Sequence, residues 1–183
     1  MNEKPVHINA ASIILGFTGS IGSGSTFIAK GIEEYYNQYK YFRLSTIIED
    51  SLSDKGVKQP TIEQMQDEGN RLRYEKGEDY LADAIIKKID SNSKNISQFY
   101  IIDGIKNEGE IQYLKQFPNF FLFSIHADRE TRRKRCIKNQ KFESEDCFDA
   151  ADIRDALEET NFGQQVKKCN YLSDIIIYNN IDI

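Results

Sequence analysis

Three cysteines, Cys136, Cys147 and Cys169, are all that the 183-residue chain offers for thiol chemistry. Their spacing matches no zinc pattern, and an odd count fits no disulfide framework. Small thiols in a reducing compartment are the simple reading, so a cytoplasmic location is expected. The two histidines, His7 and His126, are too few for a histidine-rich metal or catalytic site. No apolar run approaches the ~20 residues needed to cross a bilayer. Met1 to Asn9 has no long apolar segment of the kind a signal peptide needs, so no membrane partner is expected. Positive charge is not in excess: Lys plus Arg is 24 against 29 for Asp plus Glu, a net charge of −5. That balance argues against a nucleic-acid partner, which needs basic surface. Neither internal repeats nor low-complexity segments are visible. The length suits one domain with a sizeable core. We read residues 12–183 as that domain and residues 1–11 as a flexible arm. The oligomeric state is left open, and an oligomer is compatible with the sequence.

What is present is an alternation of apolar runs and amphipathic stretches. Ser12 to Thr18 is nearly continuous in apolar residues, the mark of a strand buried on both faces. A glycine-rich stretch follows, then Thr26 to Asn37, where Ile28, Ile32, Tyr35 and Tyr36 share a helical face. Tyr39 to Leu44 reads as a second strand. Thr61 to Gln64 is a capping box that opens a long helix, interrupted at Gly77. Leu81, Ile85 and Ile89 continue as a second amphipathic helix, and 92–97 is a polar turn. Phe99 to Ile102 is a strand ending at Asp103-Gly104. Glu108 to Gln116 is helical, Asn119 to Ile125 a fourth strand, Arg129 to Asn139 a basic helix. Asp149 to Ser173 is mostly helical with a break near Gly163, and Asp174 to Tyr178 is a fifth strand. Strands alternating with helices imply a three-layer α/β fold with a parallel five-stranded sheet. Ligands on such sheets bind beyond the carboxyl ends of the strands, where the glycine loop and Asp103 both fall.

Gly19-Ser20-Ile21-Gly22-Ser23-Gly24-Ser25-Thr26 fits the phosphate-loop pattern G-x-x-x-x-G-x-[ST] between a strand and a helix. Its glycines allow backbone torsions that turn successive N–H groups toward a phosphate, and the helix adds its positive end. Thr26 is placed to hold Mg²⁺. ATP or another nucleoside triphosphate with Mg²⁺ is the expected ligand. The competing reading is a plain glycine-rich turn. One position departs from the pattern: Ser25 stands where a lysine normally reaches the outer phosphates. Binding survives that exchange better than catalysis does, and Lys30 or an arginine of the basic helix is the candidate replacement.

Asp103 is a candidate catalytic residue and Mg²⁺ ligand, and Lys106 a candidate contact to the acceptor phosphate. A helix cap or turn is the alternative for the aspartate. Arg71 and Arg73 are candidate substrate ligands. Two residues apart on a helix, at most one faces the cleft, and a solvated charged face is the alternative. Arg129, Arg132, Arg133 and Arg135 form the densest cationic patch. Arg132 and Arg135 share a face and are read as catalytic contacts to phosphate. The alternative is a solvated helix paired with Glu143, Glu145 and Asp146.

With these residues in view, the chain resembles the nucleoside monophosphate kinase group of P-loop proteins, nearest the dephospho-CoA kinase and deoxynucleotide monophosphate kinase branch. The resemblance spans about Ser12 to Asn180. It includes the loop, Gly69 to Arg73, Asp103 to Lys106, the basic lid-like helix and the ending Ser173 to Asn180. That ending is similar to the segment near the base pocket of those kinases. The loop Gly-Ser-Gly-Ser-Thr and the segment Gly163 to Cys169 also resemble the N-terminal kinase-like domain of bacterial anti-phage deoxycytidylate deaminases. In that family a zinc deaminase domain follows, and its H-x-E and P-C-x-x-C ligands are not found here. The resemblance implies a helical lid, a nucleotide sensor with weak or no phosphotransfer, and a C-terminal deaminase partner. An active monophosphate kinase is the alternative.

Overall fold

In the computed structural model, described for residues 8–92, 98–156 and 160–181, five parallel strands form one sheet. The strands are β1 (Ile13–Thr18), β2 (Tyr39–Arg43), β3 (Phe99–Asp103), β4 (Phe120–His126) and β5 (Ile175–Tyr178). Their spatial order is β2-β3-β1-β4-β5. The helices are α1 (Ser25–Tyr35), α2 (Ser45–Asp54), α3 (Ile62–Lys76), α4 (Tyr80–Asn92), α5 (Glu108–Leu114), α6 (Arg129–Lys138), α7 (Glu145–Ala156) and α8 (Val166–Tyr171). The chain is thus the three-layer α/β fold expected from the alternation.

Register explains how the site assembles. β1 lies between β3 and β4, with Phe17 opposite both Asp103 and Phe123. Arg43 lies opposite Asp103 across the β2–β3 pair. The carboxyl ends of β1, β2 and β3 therefore open on one side, and everything that follows those ends converges there. Side chains at Ile14, Tyr100, Ile102, Phe120 and Leu122 enter the larger core with Leu81, Ile85 and Ile89 of α4 and Ile111 and Leu114 of α5. On the opposite face Phe17, Ala29, Ile101 and Ile125 form a smaller core beneath α1.

Several elements differ from the sequence expectation. The helix α2 was not foreseen; only Ile48 and Leu52 of it are buried, and its N-cap is Leu44, with no side-chain cap. In α1, Ile28 and Ile32 pack on the smaller core. Tyr35 and Tyr36, placed on the same face by periodicity, are 81% and 52% exposed at the helix end. The fifth strand forms as expected, and although it is apolar, Ile175, Ile176 and Tyr178 are exposed. It is an edge strand, paired only with β4. The capping box at Thr61 and Gln64 forms as expected. Residues 1–7 of the expected arm and 93–97 of the expected turn lie outside the described residues. Within the arm, Ile8 packs against the larger core and Ala10 accepts a hydrogen bond from Asn119, so 8–11 is tied to the body. The cysteines are unpaired; Cys136 and Cys169 are buried, which raises both thiol pKa values and keeps them unreactive. No helix of the described residues is long and apolar enough to cross a membrane.

Candidate active site

β1 ends at Thr18, and the chain turns through the loop into α1. Gly22 and Gly24 take φ of 81° and 91°. A Cβ at Gly22 would lie 2.7 Å from the Arg132 carbonyl oxygen, so α6 also sits too close to the loop for any side chain there. The loop carbonyls are held from outside. Arg132 donates to Ile21 O at 3.0 Å. Arg135 donates to Gly22 O and Ser23 O, each at 3.3 Å, and Asn179 Nδ2 donates to Ser23 O at 2.8 Å. These donors fix the loop carbonyls; of the amides, Ile21 N is bound to Asp155 and Ser23 N to Ser20 O, which leaves the others for a phosphate. No side chain caps the N-terminus of α1, whose first amides lack intrahelical partners.

Thr26 Oγ1 donates to Asp103 Oδ2 at 2.7 Å, and Tyr41 OH donates to the same oxygen at 2.9 Å. Burial, and then the Asp103 charge, raise the Tyr41 pKa well above its ordinary value, so the phenol stays a donor. Asp103 is only 1% exposed, and its Oδ1 has no partner among the described residues. A buried orphan carboxylate oxygen beside a hydroxyl is an all-oxygen donor set, which suits a hard cation. Among the described residues there is no group of three or more His, Cys, Asp or Glu able to hold a metal alone. Mg²⁺ is ordinarily held by one or two carboxylates together with substrate phosphates, so the residues present fit it.

These groups border a cavity of about 770 Å³, in the range of ordinary ligand sites. The loop, Lys30, Arg135 and Asn139 line one end; Arg43, Leu44, Ile48, Met65, Arg73 and Leu81 line the other. Lys30 lies over the Tyr41 ring at 5.8 Å.

The sequence candidates are distributed unequally. Loop residues Gly19 to Thr26, Asp103, Arg73, Lys106 and Arg135 all border the cavity, whereas Arg71 and Arg132 do not. Arg71 instead bridges Glu68 and Glu75 on its own helix. Arg132 forms a two-pronged pair with Asp152 of α7 while bonding Ala127 O and Ile21 O. Its fork is fully engaged in buttressing the loop, so its place is not the one expected of a phosphate contact. Arg73 is buried; its Nε and Nη2 donate to Glu110 Oε1 at 2.9 and 2.8 Å, and Nη1 has no partner among the described residues. The Lys106 ammonium pairs with the buried Asp155 of α7, whose other oxygen accepts from Ile21 N at 3.2 Å. Arg133 and Arg129 are paired with Glu130, Glu145 and Asp149.

Sequence reasoning missed Tyr41, Glu110 and Asp155. Tyr41 had a signal: a strand running parallel to β3 and ending beside it brings its late residues next to Asp103. Glu110 had one as well, since Asn107 and Glu110 form a capping box that opens α5; Asp155 had none, because its partners Lys106 and Ile21 N are distant in sequence.

No protein-family model matches the chain. A UPF0200 protein of Methanothermobacter thermautotrophicus is 26% identical over 130 residues, which cover 70% of this chain and 63% of that protein. The chain thus spans under two thirds of that relative. A UPF0200 protein of Methanocaldococcus jannaschii is 25% identical over 167 residues, 91% of this chain and 81% of that one. Among solved structures, TT1252 from Thermus thermophilus superimposes with a TM-score of 0.56 at 14% identity, covering 93% of this chain and 90% of that one. Shikimate kinase from Acinetobacter baumannii, solved in complex with shikimate, gives 0.50 at 13% identity, covering 93% and 86%. The likeness is one of fold: the chain shares the α/β architecture of these proteins.

Proposed function

We propose that residues 12–183 are a kinase-like domain that binds a nucleoside triphosphate, ATP or a relative, with Mg²⁺ in the loop Gly19 to Thr26. The observation that carries this is the loop lining the cavity with its carbonyls fixed by Arg132, Arg135 and Asn179. Thr26 and Asp103 would hold the Mg²⁺. When bound, the ion supplies charge that offsets the phosphates. Arg135 flanks the loop end, and Arg73, with a free nitrogen at the far end, is the anchor for an acceptor anion.

Phosphotransfer is weak or absent in this reading, and Ser25 is the reason. A unit-charge contact near 4 Å is worth ~4 kcal/mol at an effective dielectric of ~20. If half or more of that falls in the transition state, its loss slows transfer by ~10²- to 10³-fold. The domain then acts as a nucleotide sensor. The finer assignment, a regulatory module for a cytoplasmic deoxycytidylate deaminase in phage defence, is supported by the resemblance of Gly22 to Thr26 and Gly163 to Cys169. The second reading is an active monophosphate kinase or dephospho-CoA kinase-like enzyme. It is favoured by Lys30 and Lys106 on the cavity wall and by the unfilled Arg73 nitrogen.

Thermal unfolding with millimolar ATP, GTP, CTP, UTP and their deoxy forms, with and without Mg²⁺, tests the binding. At 100-fold excess over the dissociation constant a ligand adds ~2.7 kcal/mol, which raises the Tm by roughly 5–10 °C in a domain of this size. No shift with any of them overturns the proposal. Labelled ATP with a panel of nucleoside monophosphates separates the readings. Turnover near ~10 s⁻¹, typical of ordinary enzymes, makes it a kinase; binding without turnover, with activity gained in Ser25→Lys, makes it a sensor built on an intact site.

A further inference from the structure

We infer that Lys106 supplies, from the end of β3, the cation that the loop lacks at position 25, and that Asp155 is the residue that positions it. The inference rests on the nucleotide-binding reading above, and it concerns ground-state binding of the donor phosphates, not the transition-state charge whose loss weakens transfer. It moves Lys106 from the acceptor side, where sequence put it, to the donor phosphates.

Three tethers fix the lysine. Its backbone N–H donates to Glu110 Oε2 at 2.8 Å. Its carbonyl accepts from Gln165 N at 2.7 Å. Its ammonium is paired with Asp155 Oδ1. Glu110 and Asp155 are both fully buried, so neither anchor can swing away into solvent. The other oxygen of Asp155 accepts from the amide of Ile21, inside the loop itself. One carboxylate therefore spans the Lys106 ammonium and the loop backbone, and the lysine is held within a carboxylate's width of the loop. Lys106 and Ile21 both line the cavity, and the lysine side chain is one quarter exposed. An ammonium has three protons; Asp155 takes one and two remain for phosphate oxygens.

The other cations near the loop are less well fixed. Lys30 is on the wall but exposed, with its ammonium over the Tyr41 ring. Arg135 has both of its terminal nitrogens engaged with backbone carbonyls. Lys141 also lines the cavity but is exposed, and Arg43 is paired with Glu49; among the described cations at the loop, Lys106 is the one held by a fully buried carboxylate and still open to the cavity. Because Asp155 sits on α7, the arrangement also ties the position of that helix to the charge at the loop. The carboxylate offsets part of the lysine's field, so one charge-assisted hydrogen bond is the expected worth rather than that of an isolated ammonium.

Calorimetric titration of wild type, Lys106→Met and Lys106→Met/Ser25→Lys with Mg²⁺-ATP and Mg²⁺-ADP tests this. Lys106→Met should weaken ATP about tenfold, the worth of one charge-assisted hydrogen bond, and ADP much less. Adding Ser25→Lys should restore most of the ATP affinity, which it would not do if Lys106 served only to brace the fold. Asp155→Asn should give an intermediate loss, rescued in the same way. Unchanged ATP affinity in Lys106→Met, or a loss that Ser25→Lys does not repair, overturns the inference and leaves nucleotide binding standing. Wild type that binds no nucleotide overturns both. A second readout uses only the wild type: lysine acetylation followed by mass spectrometry, with and without Mg²⁺-ATP. Protection of Lys106 beyond that of Lys30 supports the assignment, and equal labelling refutes it.

Discussion

Around the loop, side chains from α6 and from beyond β5 hold backbone carbonyls; between α3 and α5, a buried arginine and a buried carboxylate hold each other. Arg132, Arg135 and Asn179 reach Ile21, Gly22 and Ser23, whereas Arg73 is answered by Glu110. The difference separates two kinds of specificity. A loop defined by backbone direction is expected to tolerate changes in side-chain identity, Ser25 in place of lysine among them, but not changes in torsion. A wall defined by a buried ion pair tolerates little change in either partner, because removing one strands the other's charge.

Glu110→Ala breaks the second kind of construction and should have the largest effect. It leaves Arg73 buried without its carboxylate and removes the acceptor for Lys106 N and Asn107 N. Breaking a buried pair costs about 3–5 kcal/mol, a fall in Tm of roughly 10 °C in a domain of this size. A fall of only a degree or two would mean that the pair is weakly coupled to the fold.

Gly24→Ala breaks the first kind. The residue sits at φ 91°, and a Cβ there would lie 2.4 Å from Asn179 Nδ2, the donor that holds Ser23 O. Strain of about 1–3 kcal/mol is expected, together with loss of the nucleotide-induced Tm shift. A variant that keeps the full shift would show that the loop's torsions are not what binds. Asn179→Ala sharpens the point: it removes one hydrogen bond, worth about 1 kcal/mol, and should weaken nucleotide binding without abolishing it.

The same contrast governs what could be read from the sequence. The loop end was legible because its signal is local: strand, glycines, Thr26 and helix are contiguous, and Asp103 closes an apolar run. The far end was not, since Glu110 and Arg73 are 37 residues apart and nothing in either helix names the other. Charge density misled where pairing decides. The basic run on α6 reads as an anion site, but Asp152, twenty residues on, claims Arg132. Periodicity found helices and missed what flanks them: α2 has only two buried positions, too few to stand out, and β5 is apolar by composition yet lies at the sheet edge.

Arg71 offers the finest test, because the expected effect is small and lies away from nucleotide. It bonds both oxygens of Glu68, which also receives Lys55 and Ser51. Chiefly through the Arg71 hydrogen bond, and against the opposing effect of burial, the Glu68 carboxyl is lowered from its ordinary 4.5 to about 2. A depressed carboxyl pKa means that the folded state holds the proton less tightly than the unfolded chain. The stabilisation is therefore complete above about pH 4.5 and is lost as the pH falls toward about 2. Arg71 and Lys55 are 36% and 47% exposed, so solvent screens the cluster and about 1 kcal/mol is a fair size for its contribution. Arg71→Ala should thus lower the Tm at pH 7 by roughly 2–4 °C, leave a smaller further loss than wild type between pH 4.5 and 2, and keep ATP affinity within about twofold of wild type. Chemical denaturation across pH, beside titration with Mg²⁺-ATP, measures all three. An ATP affinity that falls tenfold with stability intact would put Arg71 back among the ligand contacts and extend the site along α3.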